Sequence, residues 1–300
     1  MKKKTYLFAL MAMVLTLGSC SDNENGIGGE TSKYITVSTS IGNMTRVATY
    51  AKGGQTFEDG DEISVYAWTG APTVAPETSE RVVNNAINKL TNGSWVSTPQ
   101  MLWKNNRDKH YFIGVYPTAA ISDLSAGEYT FDANKQTESD LLVAVNPDGL
   151  SYSADAQQTV PLTFTHVMAK LVVNLTYKNQ WGGIPTVEKV VVGNAAKEAT
   201  INYLTKVVTP STTAKEDFSL PEITENTKYV SVIIPQEEVT QLTIVIGGKN
   251  FVYDNGTPFK LESGKITTVN LEVGRDEIKL GDVKITNWED GSTFSGEALN

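Results

Sequence analysis

The chain of 300 residues carries 34 acidic and 25 basic side chains, a formal charge of −9, and a single cysteine. An acidic surface repels phosphate backbones, so the charge argues against nucleic acid as a partner. One cysteine permits neither an intrachain disulfide nor a multi-cysteine metal site. The length suffices for one large or two medium-sized domains, each with a core of its own.

The first 19 residues predict a lipoprotein signal peptide. Lys2, Lys3 and Lys4 precede an apolar run, residues 6–17, which is shorter than the roughly 20 residues that a membrane-spanning helix needs. The following "LGSC", residues 17–20, resembles the bacterial lipobox. That resemblance implies thioether attachment of diacylglycerol to Cys20, cleavage before it and acylation of the new amine. Several acyl chains make a stable membrane anchor. The alternative is an ordinary signal peptide with an incidental cysteine.

A flexible tether and then a β-rich chain are predicted after the signal peptide. Residues 20–32 are polar and glycine-rich, which is typical of a flexible linker. Beyond them, short alternating or β-branched runs are separated by Gly, Pro, Asn and Asp. These runs are "YITVSTSI", "EISVYAW", "HYFIGVY", "DLLVAV", "KLVVNLTY", "KVVVG", "KYVSVIIP", "QLTIVIGG", "NFVYD", "KITTVNLEV" and "DVKITNW".

One helix is predicted, "SERVVNNAINKL" at residues 79–90, because its apolar residues recur at helical spacing behind Ser79 as N-cap. A change of phase in "VPLTFTHVMAKLVVNL" predicts a strand that bulges or leaves one sheet for another. We therefore predict a border near His166 between an N-terminal β-sandwich, 33–165, and a C-terminal one, 166–300, with the short helix in the first.

No motif for catalysis, cofactor binding or metal binding is found, so no enzyme activity, cofactor or catalytic residue is predicted. His110 and His166 are 56 residues apart, and no zinc cluster follows from their spacing. The members of a Ser-His-Asp triad need not be adjacent, so one stays open, but nothing points to it. His166 is interpreted as a hydrogen-bonded core or interface residue.

Two further patterns have a functional and a structural interpretation. "FEDGDE", residues 57–62, lacks the spacing of a calcium loop and is interpreted as a solvated turn before a strand. The five tryptophans are scattered over both halves of the chain, which favours packing over a platform for sugar stacking.

Several of these segments together resemble the fimbrillin-like family of the type V pilin superfamily of Gram-negative anaerobes. The matches are the lipobox, "TRVAT", "FEDGDEISVYAW", "SDLLVA", "VPLTFTHVMAKLVVNL" and the closing "ITTVNLEV" and "VKITNW". The resemblance implies an all-β fold of two tandem transthyretin-like Greek-key β-sandwich domains. It also implies lipoprotein export to the outer-membrane surface, trimming after an arginine and polymerisation by strand donation. Arg46, followed by Val47 in "NMTRVATY", lies where such a cleavage is expected.

The predicted function is therefore that of a structural subunit of a surface fimbria (pilus) that serves adhesion. The expected partners are other pilin subunits through strand exchange, the outer membrane through lipid, and ligands on host or bacterial surfaces. Candidate donor segments are "EIKLGDVKITNW", with apolar Ile278, Leu280, Val283 and Ile285, and "STFSGEAL" beyond it. The alternative is a surface lipoprotein that binds glycans and never polymerises.

Overall fold

The computed structural model describes residues 33–42, 56–153, 158–239, 241–253 and 258–288. These residues form 21 β-strands, which confirms the all-β class. The strands are β1 (Thr36–Ile41), β2 (Glu62–Thr69), β3 (Val83–Thr91), β4 (Ser94–Thr98), β5 (His110–Tyr116), β6 (Gly127–Thr130), β7 (Leu142–Leu150), β8 (Thr159–His166), β9 (Ala169–Tyr177), β10 (Val187–Ala196), β11 (Glu198–Asn202), β12 (Val207–Pro210), β13 (Lys215–Ser219), β14 (Glu222–Thr224), β15 (Lys228–Ile233), β16 (Gln236–Val239), β17 (Leu242–Ile246), β18 (Lys249–Tyr253), β19 (Phe259–Leu261), β20 (Lys265–Val273) and β21 (Ile278–Asn287).

The first half of the chain builds a seven-stranded sheet in the order β1-β8-β7-β5-β2-β3-β4. Its pairs are antiparallel except at one edge, where β1 runs parallel to β8. A parallel pair cannot be joined by a hairpin, and the two strands are more than 100 residues apart in the chain. The first strand is therefore added to this sheet from a distant position in the sequence.

The second half builds the remaining sheets. A five-stranded sheet has the order β14-β15-β9-β20-β21, and a four-stranded sheet has the order β13-β10-β17-β18. Two smaller sheets are β12-β11-β6 and β16-β19. In the three-stranded sheet, β6 from the first half pairs with β11 from the second. The two halves thus share one hydrogen-bonded ladder.

Both faces of the central strands β2 and β5 are buried. One face contributes Val65 and Phe112 to a cluster within the first half, and the other contributes Tyr66 and Ile113 to a larger cluster with the second half. A strand that is buried on both faces has apolar residues at nearly every position. This explains why "EISVYAW" and "HYFIGVY" are nearly continuous apolar runs.

The phase change at "LTFTHVMAKL" corresponds to a change of sheet. β8 ends at His166 in the seven-stranded sheet, and β9 begins at Ala169 in the five-stranded sheet. The two intervening residues, Val167 and Met168, are fully buried. The division into two domains at this point stays a prediction.

The predicted helix at 79–90 is wrong. Residues 78–80 form a single 3-10 turn, and β3 occupies Val83–Thr91. The register between β2 and β3 shifts between Val65 and Ala67, opposite Ala86 and Val83, and Asn85 adopts φ 57° within this β-bulge. The extra residue places Val83 and Ala86 on one face three positions apart. The bulge therefore gave the apolar residues of this strand the three-residue spacing that is typical of a helix.

The "FEDGDE" carboxylates contact turns. Asp59 accepts hydrogen bonds from the backbone N–H groups of Asn92 (3.0 Å) and Gly93 (3.1 Å). Asp61 accepts one from the N–H of Glu58 at 2.8 Å. Gly60 adopts φ 102°, a conformation that favours glycine. This segment orders the entry into β2 and the neighbouring turn between β3 and β4.

Candidate functional site

β1 is an edge strand that is hydrogen-bonded along one side. Its six residues pair with Thr159–Phe164 of β8. Before the strand, the N–H of Ile35 donates to the carbonyl of Met101 at 3.0 Å, and the N–H of Trp103 donates to the carbonyl of Lys33 at 3.1 Å. The other side of β1 has no ladder partner among the described residues. Its backbone groups there can accept a further strand.

The inner face of β1 completes the first hydrophobic cluster. Val37 is 6% exposed and Ile35, directly before the strand, is 1% exposed, and both belong to the cluster that contains Leu162 and Phe164 of β8. Ile41 is partly buried against the same cluster. The outer face is polar, and Ser40 lies 3.2 Å from Thr163, hydroxyl to hydroxyl. This alternation is the one predicted for "YITVSTSI".

A groove separates β1 from β4, the other edge of the seven-stranded sheet. It encloses about 720 Å³ and is lined by β1, β4 and Phe57. The Trp95 side chain of β4 spans this groove, and its indole N–H donates to the hydroxyl of Thr39 at 3.0 Å. The Phe57 ring meets the rings of Trp95 (5.4 Å) and Phe164 (5.1 Å) edge-on. The edge strands β1 and β4 thus contact each other through side chains, and their backbone N–H and C=O groups do not pair with each other.

β21 is an edge strand of the five-stranded sheet. It pairs with β20 from Val273↔Ile278 to Lys265↔Asn287, with a register shift next to Gly281. That shift confirms the predicted phase change. Val283 and Ile285 lie opposite the buried Val269 and Thr267, yet they are 36% and 37% exposed. The apolar side of this strand is therefore incompletely covered.

His166 lies where the chain leaves β8, and its side chain is 7% exposed. Its Nδ1 lies 2.7 Å from Oδ1 of Asp140, and its ring stacks on the Trp288 indole at 4.0 Å between centroids and 7° between planes. The Nε2 atom is buried and has no hydrogen-bond partner among the described residues. The Lys170 ammonium lies 5.6 Å from the Trp288 ring centroid. We call Asp140, His166 and Lys170 the indole site.

Lys170 lies in the centre of the five-stranded sheet and is 3% exposed. Burial lowers the pKa of its ammonium to about 8, against a smaller opposing effect of Asp140. The folded chain therefore binds fewer protons than the unfolded chain between the folded pKa and the ordinary value of 10.5, so this group makes stability rise with pH through that window.

We expect Lys170→Met to raise the free energy of unfolding by about 2 kcal/mol at pH 7, because it removes a buried charge but keeps the length of the side chain. The gain should shrink as the pH rises from 8 toward 10. Urea unfolding of both proteins at several pH values measures the difference. Lys189→Met, at an exposed lysine, should leave stability unchanged at every pH. A gain that is constant across the pH range would contradict the assignment.

The sequence-predicted residues Cys20, Arg46 and Val47 lie outside the described residues. Gly42, after β1, donates its N–H to the carbonyl of Phe164 at 2.8 Å, and Arg46 follows four positions later. Sequence reasoning missed Asp140 and Lys170. The available signal for Lys170 was a lone charge inside the apolar run "VMAKLVVNL".

The tryptophans do not form a common platform. Trp68, Trp103 and Trp288 are each at most 7% exposed, and they lie in different parts of the core. Trp95 and Trp181 are half-buried in different halves of the chain. Among the described residues no cluster of three or more His, Cys, Asp or Glu side chains could hold a metal ion. In the same ranges, no helix has the length and apolar character needed to cross a membrane.

Comparison with known proteins identifies the family. The family model described as fimbrillin-like matches residues 45–288. The chain belongs to the fimbrillin-like family. That membership confirms the resemblance noted in the sequence, and it supports a fimbrial subunit at the cell surface and a structural, non-enzymatic role. No curated protein matches the chain.

Solved structures share the fold of this fimbrillin-like chain at low sequence identity. Two of them are provisionally described as cell adhesion proteins. The one from Bacteroides uniformis has a TM-score of 0.63 at 19% identity, covering 85% of this chain and 99% of the other. The one from Bacteroides ovatus has a TM-score of 0.65 at 17% identity, covering 86% and 98%. A fimbrial protein from Bacteroides vulgatus has a TM-score of 0.52 at 13% identity, covering 85% and 99%.

Proposed function

We propose that the chain is a structural subunit of a bacterial fimbria that serves adhesion. It is exported as a lipoprotein anchored at Cys20. After cleavage between Arg46 and Val47 it polymerises by strand donation. One observation carries the proposal. The strand next to Arg46 in the sequence is an edge strand, paired on one side, that closes a hydrophobic cluster. Departure of this strand breaks one ladder, the one with β8, together with the two hydrogen bonds that join residues 33 and 35 to Trp103 and Met101.

Loss of β1 creates an acceptor site. Val160, Leu162 and Phe164 of β8 are at most 1% exposed, and β1 covers the edge to which they belong. Removal of β1 opens the contacts of Ile35 and Val37 and leaves the β8 edge unpaired. An apolar groove with a free strand edge recruits an extended segment from another chain, whose backbone supplies the ladder and whose alternate side chains fill the groove.

β21 is the donor segment that the contacts favour. It is an edge strand, so its departure breaks the backbone hydrogen bonds to a single neighbour, β20. Its apolar side offers Ile278 and Leu280, and then Val283 and Ile285 beyond the shift at Gly281. Acceptor and donor strands belong to different sheets, so one copy gives β21 to the β1 position of the next. Such a head-to-tail contact, unless it closes, builds a filament.

The domain division and the location are parts of the same proposal. A border near His166, where the chain changes sheets, separates the acceptor sheet from the donor sheet. The lipid at Cys20 holds the precursor at the outer membrane until cleavage after Arg46 releases it. The assembled fimbria then carries the chain on the cell surface.

A charge placed on the apolar side of β21 tests the donation step. We expect the double substitution Val283→Asp and Ile285→Asp to prevent fimbria formation, because both side chains are over one-third exposed in the monomer but enter an apolar groove on donation. Electron microscopy of expressing cells, and detergent-resistant ladders on unheated gels, measure assembly. Lys284→Asp, on the opposite face of the strand, is the control and should assemble normally. Normal ladders from the double variant would show that β21 is not the donor.

A further inference from the structure

The residue directly after β21 is buried, whereas the strand itself is mostly exposed. Trp288 is 7% exposed, while Val283 and Ile285 are more than one-third exposed and Lys284 between them is exposed. The backbone N–H of Trp288 donates to the carbonyl of Gly264 at 3.0 Å. Trp288 is therefore the most deeply buried apolar side chain of this segment, while Ile278 and Leu280 at the N-terminal end of the strand are partly buried against the core.

The indole site joins β21 to a distant part of the chain. His166 is the last residue of β8 and Asp140 lies two residues before β7, so both lie at the seven-stranded sheet. The His166 ring stacks on the indole at 4.0 Å, and Asp140 orients that ring from 2.7 Å. Lys170 of β9 lies 5.6 Å from the indole centroid. The residue that follows this edge strand is thus contacted by side chains from β8 and β9, and Asp140 is bonded to the first of them.

The polar and charged side-chain contacts at β21 lie at the surface. At its first end, Glu277 pairs with Lys178, and the Arg275 guanidinium lies 5.5 Å from the Trp181 ring. Exposed ion pairs of this kind contribute little. In the middle, Asp282 accepts a hydrogen bond from Asn270 at 2.6 Å on the exposed face. β21 is also held by its backbone ladder with β20 and by Ile278 and Leu280, which are partly buried against the core. Its other side chains are mostly exposed, and such a segment opens locally, so loss of the buried Trp288 contact should lower the local stability of β21.

We propose that Trp288 is the retaining residue of β21. The strand stays in its own sheet while the indole is stacked on His166, and it becomes available to another chain when the indole leaves. This inference rests on the proposed function, because it assumes that β21 is the donated strand. The stacking of Trp288 on His166, at the junction of the two sheets, would then limit the rate at which β21 is donated.

Hydrogen exchange of the purified, uncleaved monomer tests the retaining role. We expect Trp288→Ala to accelerate exchange of the β21 amides about 100-fold, because a buried aromatic contact is lost. The amides of β5 should keep their wild-type rates. Trp288→Phe, which retains an aromatic ring, should restore most of the protection, and Ile285→Ala, a truncation on the same strand, should change exchange only a few-fold. Equal acceleration in β5 and β21, or no acceleration in β21, would overturn the proposal.

Assembly kinetics with cleaved protein separate this inference from the proposed function. Trp288→Ala should form ladders at least ten times faster than wild type if release of the indole limits donation. An unchanged rate, together with accelerated exchange of β21, would refute the control of assembly by Trp288. Absence of ladders from both proteins would refute the proposed function, while the exchange result would still decide whether Trp288 retains the strand.

Discussion

Replacement of Arg46 by alanine is expected to abolish assembly and to leave monomeric protein. Without the cleavage between Arg46 and Val47, β1 stays covalently joined to the rest of the chain and keeps its place beside β8. Because Ile35 and Val37 then fill the apolar site beside β8, no strand from another copy can enter that site. Donation buries about four apolar side chains, worth roughly 6–12 kcal/mol before ordering costs, so its loss removes the main driving force for polymerisation.

Unheated gels of surface-exposed protein measure this effect directly. Wild type should form detergent-resistant ladders, and Arg46→Ala should run as a single band of precursor size. Arg107→Ala provides the control, because Arg107 is an exposed arginine that belongs to neither β1 nor β21. Ladders of normal length from Arg46→Ala would mean that Arg46 is an ordinary surface residue and that β21 simply completes its own sheet.

Replacement of Cys20 by alanine is expected to eliminate lipidation completely. The thiol is the only one in the chain, and no other side chain can carry the thioether that a lipobox cysteine receives. The variant should accumulate as unprocessed precursor or as soluble periplasmic protein. Labelling with radioactive palmitate and fractionation of the outer membrane measure the loss. Ser21→Ala, which leaves the lipobox intact, should label like wild type, and equal labelling of the Cys20 variant would refute the lipobox interpretation.

The two substitutions also test each other. In wild type the palmitate label should be found in a short fragment, residues 20–46, because cleavage separates the lipid from the assembled chain. In Arg46→Ala the label should stay on the full-length chain in the outer membrane. A wild-type label that remains on the full-length chain would contradict cleavage after Arg46 without affecting the assignment of Cys20.

Strand prediction succeeded where the side-chain pattern reflects burial on one or both faces. Runs such as "YITVSTSI" and "KITTVNLEV" alternate because one face of β1 and of β20 is buried and the other is polar. The pattern failed at β3. There the bulge at Asn85 adds one residue between Val83 and Ala86, and a spacing of three resembles a helical turn. Local periodicity does not distinguish a bulged strand from a short helix.

The sequence alone determined the strand-rich composition, the change of phase at His166 and the segments that carry the family resemblance. All of these depend on local order along the chain. Only the tertiary structure decided that β1 is a parallel edge strand beside β8, and that Trp288 stacks on His166 and lies near Lys170. Those contacts join residues more than 100 positions apart. They depend on which strands become neighbours, and side-chain periodicity specifies the buried face of a strand but not its partner.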